Sequence, residues 1–322
     1  MSSEAIPREE TEQLRDEFSS LRPALVAHCY RMTGSYQDAE DAVQETYLRA
    51  VRGLAAFEGR SSLKTWLYRI ATNTCLTELK HPRRRVLPSG IGAPADDPDA
   101  RVFTDDARAW LEPLPDAVLG DPGEVVVRRE AVRLALIAAL QHLPARQRAA
   151  FLLREVLSWS AAEIAEALGI SVPAVKSLLQ RARARLDELD PGDRSPGPDV
   201  EQALLDRYIA AFEAEDAAGI RAVIHDDFSL EAVPHPVWFK GLAVCLPFIE
   251  RHAFGLAGGP VRLLPTRANG QPAAGSYRRD AAGVLRAEGL WVYTVTGDRF
   301  SGAVKFVGAG FVTAAGLPER LA

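Results

Sequence analysis

Residues 143–186, LPARQRAAFLLREVLSWSAAEIAEALGISVPAVKSLLQRARARL, have the pattern of a helix followed by a tight helix-turn-helix. Ser160 and Glu163 form a capping-box pair, in which each side chain accepts a hydrogen bond from a backbone N–H at a helix start. Gly169 suits the left-handed residue that ends such a helix, and Ser171 suits the N-cap of the next one. The pattern therefore predicts two helices joined by a tight turn.

The second helix of this pair has two different faces. Its apolar residues recur at helical spacing and predict one buried stripe: Val175, Leu178, Leu179, Ala182 and Leu186. The other side is polar and carries Pro173, Lys176, Ser177, Gln180 and Arg181, with more basic residues at Arg183 and Arg185. Such a surface after a tight turn is typical of a helix that enters the major groove of duplex DNA. An amphipathic hairpin with a solvated basic face is the alternative.

Length and composition exclude several classes of protein. The chain has 322 residues and a net charge of −5, a length that predicts two or three domains. It has no run of about 20 apolar residues to cross a membrane, and residues 1–20 suggest a loosely held leader without the apolar stretch of a secretion signal. Cys29, Cys75 and Cys245 fit neither a disulfide framework nor a zinc site. We therefore expect a cytoplasmic protein without a metal or cofactor.

Charge is segregated along the chain. Basic residues dominate residues 60–86, acids dominate residues 96–124, and the helix-turn-helix region is basic again. Two basic regions joined by an acidic connector predict contact with a polyanion at two places. The connector is rich in Pro, Gly and Asp, with Phe103, Trp110 and Leu111 as isolated apolar residues. We interpret it as a flexible, partly docked linker.

Residues 35–54 predict an amphipathic helix. Apolar and small residues recur there at intervals of three and four and define a buried face. Beside that face lies a second ridge, made of Asp41, Gln44, Glu45 and Leu48, which is polar apart from its leucine. From the residues alone, a solvated helix face and a docking surface account for this ridge equally well.

Residues 57–85 combine a loop with a basic helix. The predicted inward face carries Leu63, Trp66, Leu67, Ile70, Ala71, Thr74 and Cys75, and the outward face carries Lys64, Thr65, Tyr68, Arg69, Asn73, Thr77 and Lys80. A basic helix with aromatic and small hydrogen-bonding residues suits single-stranded nucleic acid, because bases stack and phosphates pair with cations. Trp66 itself fits the protein core better than base stacking.

Residues 199–322 predict a separate domain. Pro and Gly between residues 191 and 198 mark its boundary, two predicted helices follow, and alternating strands with turns at residues 280–283 and 297–298 complete it. This order indicates an α+β cone with a strongly curved sheet. Residues of the types used in proton transfer are His225, Asp226, Asp227, His235 and His252. The aromatic residues Trp238, Phe248, Trp291, Tyr293 and Phe306 fit a packed core better than a pocket.

Three motifs in this order resemble extracytoplasmic-function (ECF) sigma factors of the sigma-70 superfamily. They are DAEDAVQETYLRA at residues 38–50, FEGRSSLKTWLYRIATN at residues 57–73, and the helix-turn-helix. The resemblance covers about residues 18–187. It implies a protein that binds core RNA polymerase, directs it to promoters and opens the DNA. A plain helix-turn-helix repressor would leave residues 38–85 unexplained.

The resemblance also assigns roles to residues. It implies that Asp41, Gln44, Glu45 and Leu48 bind the clamp helices of the largest polymerase subunit, and that the chain also contacts the flap of the second-largest subunit. Residues implied to bind the minus-ten element as a single strand with a flipped base are Phe57, Ser61, Ser62, Lys64, Trp66, Tyr68, Arg69 and Asn73. Those implied to bind the minus-thirty-five duplex are Ser171, Pro173, Ala174, Lys176, Ser177, Gln180, Arg181 and Arg183.

The motif ALLDRYIAAFEAEDAAGIRAVIHDDF at residues 203–228 resembles the SnoaL-like family, which includes cyclases and isomerases. We expect a regulatory domain without catalytic residues; an enzyme tethered to a DNA-binding module is the alternative. A small ligand and an anti-sigma protein are partners that the sequence leaves open. The predicted organisation is sigma domain 2 at residues 18–86, an acidic linker at 87–124, sigma domain 4 at 125–187, a second linker at 188–198 and the SnoaL-like domain at 199–322.

Overall fold

A computed structural model describes residues 8–79, 84–120, 132–189, 196–255 and 259–321, with side chains from residue 11 onward. These residues form two compact units. The first unit contains residues 8–79, 84, 118–120 and 139–189. The second contains residues 85–117, 132–138, 196–255 and 259–321.

The first unit begins with three packed helices, α1 (Arg8–Thr33), α2 (Tyr36–Gly53) and α3 (Leu63–Glu78). Ser35 caps α2 and Ser62 caps α3, each by accepting a hydrogen bond from a backbone N–H three residues on. The prediction of a loosely held leader is wrong from residue 8 onward. Leu14 and Phe18 are buried, because α1 continues through this segment and the Phe18 ring lies 4.8 Å from the ring of Tyr47.

The buried face of α3 is rotated from the predicted one. Tyr68 and Thr72 are buried, whereas Leu63, Trp66 and Ile70 are only half-buried. The reason is His28, a buried residue of α1 whose Nε2 lies 2.9 Å from Thr72 Oγ1 and whose ring meets Tyr68 edge-on at 5.4 Å. A buried imidazole needs a hydrogen-bond partner, and α3 turns its polar Thr72 inward to supply one.

The helix-turn-helix is confirmed. Helices α4 (Leu134–Leu140) and α5 (Ala145–Glu155) precede it, and α6 (Ala161–Leu168) and α7 (Val172–Asp187) form it. The Ser160–Glu163 capping box is complete, Gly169 has a φ of 63°, and Ser171 caps α7. The predicted helix over residues 124–140 is described only from Leu134, since residues 124–131 lie outside the described part of the chain.

The second unit is built on a seven-stranded sheet. Its helices are α8 (Pro198–Glu213), α9 (Ala217–Val223), α10 (Leu242–Ala253) and α11 (Ala309–Ala314). Its strands are β1 (Ile224–Val233), β2 (Phe239–Lys240), β3 (Arg262–Ala268), β4 (Gln271–Arg279), β5 (Leu285–Thr296), β6 (Arg299–Val307) and β7 (Arg320–Leu321).

The strand order is β2-β1-β6-β5-β4-β3, with β7 paired to β5. The β1–β6 pair is parallel and the other pairs are antiparallel. Helices α8, α9 and α10 share one apolar core with the sheet, in which Tyr208, Phe228, Tyr293 and Phe300 are all buried. The α+β cone prediction is confirmed.

Residues 85–117, hereafter the connector, form part of the second unit, and the sequence predicts a flexible linker that is only partly docked there. Trp110, Leu111 and Leu114 are buried, while Phe103 is 54% exposed. Isolated β-bridges pair Ala95 with Phe239 and Pro115 with Ala268. The acidic composition suggested solvation, but these apolar side chains and backbone pairings hold the segment to the cone.

Candidate nucleic-acid interface

The ridge on α2 is accessible. Asp41, Gln44 and Leu48 are exposed, and Leu48 is 47% exposed although it is a large apolar residue. Glu45 is half-buried by ion pairs with Arg49, at 2.7 Å, and Arg52, at 3.2 Å. Asp41, Gln44, Glu45 and Leu48, hereafter the α2 ridge, therefore present an apolar contact beside acidic and amide groups, which suits a protein partner.

The loop before α3 and the start of that helix hold most of the residues predicted to bind single-stranded DNA. Ser61, Ser62 and Lys64 are exposed. The rings of Phe57 and Trp66 lie 4.8 Å apart, tilted by 35°, and both are half-buried. This aromatic pair leaves ring surface at the protein boundary, where a base can stack.

Tyr68 is a correction to the predicted site. It is 4% exposed and packs against His28 of α1, so its ring belongs to the core of the three helices. Base stacking needs an accessible ring face, which Tyr68 does not offer. Its contribution is to fix the position of α3.

Arg69 and Asn73 lie farther along α3 and contact α6. Arg69 Nη1 lies 2.9 Å from Glu166 Oε1, and Asn73 Nδ2 donates to the carbonyl oxygen of Ala167 at 3.3 Å. Both side chains of the ion pair are largely exposed, and such pairs contribute about 0–1 kcal/mol. In the first unit these two predicted DNA-binding residues are therefore engaged by the helix-turn-helix through weak contacts.

The outer face of α7 is exposed to solvent. Ser171, Pro173, Lys176, Gln180 and Arg181 are exposed, and Ala174 and Ser177 are half-buried. Arg181 Nη1 donates to Ser177 Oγ at 2.8 Å, which orients the guanidinium along the helix. Exposed amide, ammonium and guanidinium groups on one helix face match the donors and acceptors of the major groove.

Arg183 differs from the other predicted residues of α7. Its Nη2 and Nε lie 2.6 Å and 3.2 Å from the same oxygen of Glu155, at the end of α5. Its side chain thus joins α7 to α5, although it remains half-exposed. The ion pair gives Arg183 a structural role that the sequence pattern did not indicate.

Arg148 of α5 was also missed by the sequence analysis. It is 5% exposed and donates to the carbonyl oxygens of Met32, at the end of α1, and of Leu143. Its Nη1 also lies 2.6 Å from Gln141 Oε1. Burial lowers the pKa of Arg148 to about 10, which leaves it protonated at neutral pH. Nothing in the sequence distinguishes Arg148 from Arg146 and Arg154 of the same helix for such a role.

The C-terminal cone contains a cavity of about 520 Å³. Of the predicted polar candidates, His235 and His252 line it. His225 and Asp227 are exposed at the start of β1, and Asp226 lines a different cleft beside α10. The candidates are therefore dispersed. Charged residues that the sequence analysis missed line the cavity instead: Glu231, Arg278, Glu288 and Lys305.

An ion-pair cluster forms one part of the cavity wall. Glu288 Oε1 lies 3.1 Å from Arg278 Nε, and Glu288 Oε2 lies 2.7 Å from Lys305 Nζ. Burial opposes ionisation of Glu288, but Lys305 and Arg278 outweigh it, so its pKa is lowered. Burial lowers the pKa of Lys305 despite the attraction of Glu288. Only alternation along β4, β5 and β6 could have indicated these positions.

The described part of the chain contains no group of three or more His, Cys, Asp or Glu residues placed to hold a metal ion. None of its helices is long and apolar enough to cross a membrane.

Comparison with known proteins defines the class. The chain matches Sigma-70 region 2 over residues 18–85 and Sigma-70, region 4 over residues 133–186. It is 46% identical to the ECF RNA polymerase sigma factor SigG of Mycobacterium tuberculosis, over 98% of this chain and 87% of the relative. It is 30% identical to the ECF sigma factor SigJ of the same species, over 66% of this chain and 62% of that relative.

The crystal structure of M. tuberculosis SigJ shares the fold. It matches 94% of this chain and 99% of its own at a TM-score of 0.63, with 23% identity. The chain therefore belongs to the ECF RNA polymerase sigma factors. As a member of that family it binds core RNA polymerase and promoter DNA and acts in transcription initiation.

Proposed function

We propose that the C-terminal cone of this sigma factor is a regulatory domain that controls polymerase engagement by holding the connector. The observation that carries this proposal is the environment of Asn269, at the turn between β3 and β4. Its side chain accepts a hydrogen bond from the N–H of Leu114 at 2.9 Å and donates one to the carbonyl oxygen of Val132 at 2.7 Å. Its own N–H donates to the carbonyl oxygen of Leu114 at 2.7 Å.

These bonds, hereafter the Asn269 clamp, are buried and supported by neighbours. Asn269 is fully buried and has a φ of 56°, a conformation that Asn tolerates better than most residues. Asp116 accepts a hydrogen bond from the N–H of Gly270 at 2.7 Å, and Gln271 accepts one from the N–H of Leu134 at 2.8 Å. A network satisfied at this many points fixes its geometry more firmly than isolated surface contacts.

The clamp matters because of where its partners lie in the sequence. Leu114 and Val132 both lie within residues 86–132, the segment that joins region 2 to region 4, and one side chain holds both. A sigma factor must bind the minus-ten and minus-thirty-five elements at once, so the path of this segment limits how its two DNA-binding regions can be spaced. Holding the segment favours one spacing, and releasing it allows others.

We assign the polymerase and DNA binding sites to exposed surfaces of the sigma regions. The α2 ridge docks on the clamp helices of the largest polymerase subunit, and the helix-turn-helix region contacts the flap of the second-largest subunit. The Phe57–Trp66 pair, Ser61, Ser62, Lys64, Arg69 and Asn73 bind the minus-ten strand. The outer face of α7 binds the minus-thirty-five duplex. Because its template and polymerase are cytoplasmic, the protein acts in the cytoplasm.

The regulatory role does not require catalysis by the cone. The predicted proton-transfer residues do not converge, since His225 and Asp227 are exposed away from the cavity that His235 and His252 line. Two carboxylates of the cavity wall are engaged, the half-buried Glu288 by two cations and the buried Glu231 by the N–H of Ser89 at 2.8 Å. This arrangement supports a binding domain rather than an enzyme.

Run-off transcription with purified core polymerase tests the proposal. The full chain and a chain ending at Pro191 are compared on the same library of promoter fragments. We expect promoter-specific transcripts from the full chain, and altered core affinity for the shortened one. Equal transcription and equal core affinity for the two chains would refute the regulatory role. Absence of a promoter-specific transcript from both would contradict the assigned binding surfaces.

A further inference from the structure

The cavity of the cone has the size and lining of a small-molecule site. Its volume of about 520 Å³ lies within the range of pockets that enclose drug-sized ligands. Phe212, Phe248 and Trp291 give it aromatic walls, and Tyr208 stacks behind Phe212. The side chains of Phe248 and Trp291 remain half-buried, so they keep surface for a ligand. A mostly apolar molecule would bury that surface.

The ion-pair cluster in the cavity wall has more positive than negative groups. Arg278 and Lys305 share the single carboxylate of Glu288. The Lys305 ammonium also lies 5.5 Å from the centre of the Trp291 ring, so an aromatic ring covers one side of the ammonium. A guanidinium carries five N–H donors, and the contact with Glu288 uses the Nε donor. The cluster thus presents a net positive charge at a partly buried site, which attracts an anion.

The other acids that line the cavity, Asp99 and Glu231, do not offset this charge, because Asp99 is already paired with Arg251 and Glu231 is buried. Glu231 is buried and accepts a hydrogen bond from the backbone N–H of Ser89. Burial raises the pKa of Glu231, although the bonds from Ser89 act against this shift. The polar end of the cavity therefore remains cationic.

We propose that this cavity binds an elongated apolar molecule with one carboxylate, which pairs with Arg278 and Lys305 while the apolar body lies against Phe212, Phe248 and Trp291. The connector supplies part of the same wall through Asp99, Ala100, Arg101 and Val102. Asp99 is held by an ion pair with Arg251 of α10. The bound molecule therefore touches the segment that the Asn269 clamp holds. The site itself does not depend on the regulatory role.

The test is a fluorescence titration of the full chain with 11-(dansylamino)undecanoic acid and with its methyl ester, which differs only in lacking the charge. We expect saturable binding of the acid, about 10-fold or more tighter than the ester, because a charge-assisted hydrogen bond is lost with the carboxylate. Absence of saturable binding, or equal affinities for the acid and the ester, would overturn the proposal.

Variants locate the site. Arg278→Gln should weaken acid binding about 10-fold and leave ester binding unchanged. Ala253→Trp, which fills the cavity from α10, should weaken both. Arg279→Gln is the matched control, because Arg279 is next on β4 but exposed and bonded to the carbonyl oxygen of Gly283 at 2.9 Å. Acid binding that survives Arg278→Gln unchanged, or falls equally with Arg279→Gln, would contradict the assignment.

Discussion

At the scale of single residues, His28 makes the fold sensitive to pH. Burial, reinforced by the positive charge of Arg31, lowers the pKa of His28 from 6.5 to about 3. Above pH 6.5 the imidazole is neutral in both folded and unfolded chains, so stability does not depend on it. Below pH 6.5 the imidazole of His28 is protonated in the unfolded chain but stays neutral in the folded chain. Folding therefore becomes less favourable as the pH falls to about 3.

The expected loss for His28 is about 1.4 kcal/mol per pH unit, or about 2 kcal/mol between pH 6.5 and pH 5. Urea unfolding at pH 7.5 and pH 5.0 measures it. His28→Gln should lose about 2 kcal/mol less than the wild type over this interval. The exposed His225→Gln should behave like the wild type. An identical pH dependence for wild type and His28→Gln would show that the imidazole is not kept neutral.

Asn269 is the second residue on which the account depends. In Asn269→Gly the positive φ is retained, but the buried Leu114 N–H and Val132 carbonyl lose their partner, at a cost of about 2–4 kcal/mol. We expect the connector to open more often. Hydrogen exchange of the Leu111 amide, which bonds to Val86 rather than to Asn269, should therefore accelerate about 30-fold.

Asp298→Gly, in the exposed turn between β5 and β6, is the control for the clamp experiment and should leave the exchange of Leu111 unchanged. Unchanged exchange of Leu111 in Asn269→Gly would mean that other contacts hold the connector without the clamp.

At the scale of elements, short sequence motifs were sufficient to predict a helix or turn whose structure depends only on neighbouring residues. The helix-turn-helix follows from Ser160, Glu163, Gly169 and Ser171, because a capping box and a left-handed glycine act within one turn of helix. The face of α3 could not be predicted in this way. Its rotation depends on the polar requirement of His28, which lies on a different helix.

The α2 ridge gives a prediction at this scale. Asp41→Ala combined with Gln44→Ala removes exposed side chains only, so helix content by circular dichroism should not change. Affinity for core polymerase, measured by fluorescence anisotropy, should fall about 10-fold or more, as for truncation of central interface residues. The matched control, Glu12→Ala with Asp16→Ala, removes exposed acids from α1 and should leave affinity unchanged. Equal affinities for both double variants would remove the ridge from the docking surface.

Helix α7 gives a second prediction at the scale of elements. Gln180→Ala removes a candidate contact to a base edge and should reduce affinity for minus-thirty-five duplex by about 1–3 kcal/mol, with weaker discrimination among sequences. Arg183→Ala removes the ion pair with Glu155 and should alter thermal stability more than sequence discrimination. Electrophoretic mobility shifts with matched and scrambled duplexes separate these effects. Discrimination that depends on Arg183 and not on Gln180 would reverse the assignment.

At the scale of the whole molecule, the order of domains and a partial docking of the connector were predictable, but the residues that hold the connector were not. Sigma motifs and a strand-rich C-terminal region are visible in the sequence. The connector contributes Leu111 and Leu114 to the second unit and backbone groups to Asn269, far away in the sequence. Composition describes the average solvation of a segment. It does not show which few residues a distant turn will bind.

The candidate sites also divide into those that the sequence could predict and those that it could not. Exposed positions of α2 and α7 followed from helical periodicity, because accessibility on an amphipathic helix is a local property. The paired charges of the cone, Arg278, Glu288 and Lys305, come from three strands and converge only when the sheet is assembled.

The central claim is that the cone controls polymerase engagement through the connector. Its most direct test is the affinity of the full chain for core RNA polymerase, measured for the wild type, Asn269→Gly and Asp298→Gly under identical salt. We expect Asn269→Gly to bind core polymerase more tightly, because less free energy is spent on releasing the connector, and Asp298→Gly to match the wild type. Equal affinity in all three, with the Leu111 amide already exposed to exchange in Asn269→Gly, would contradict it.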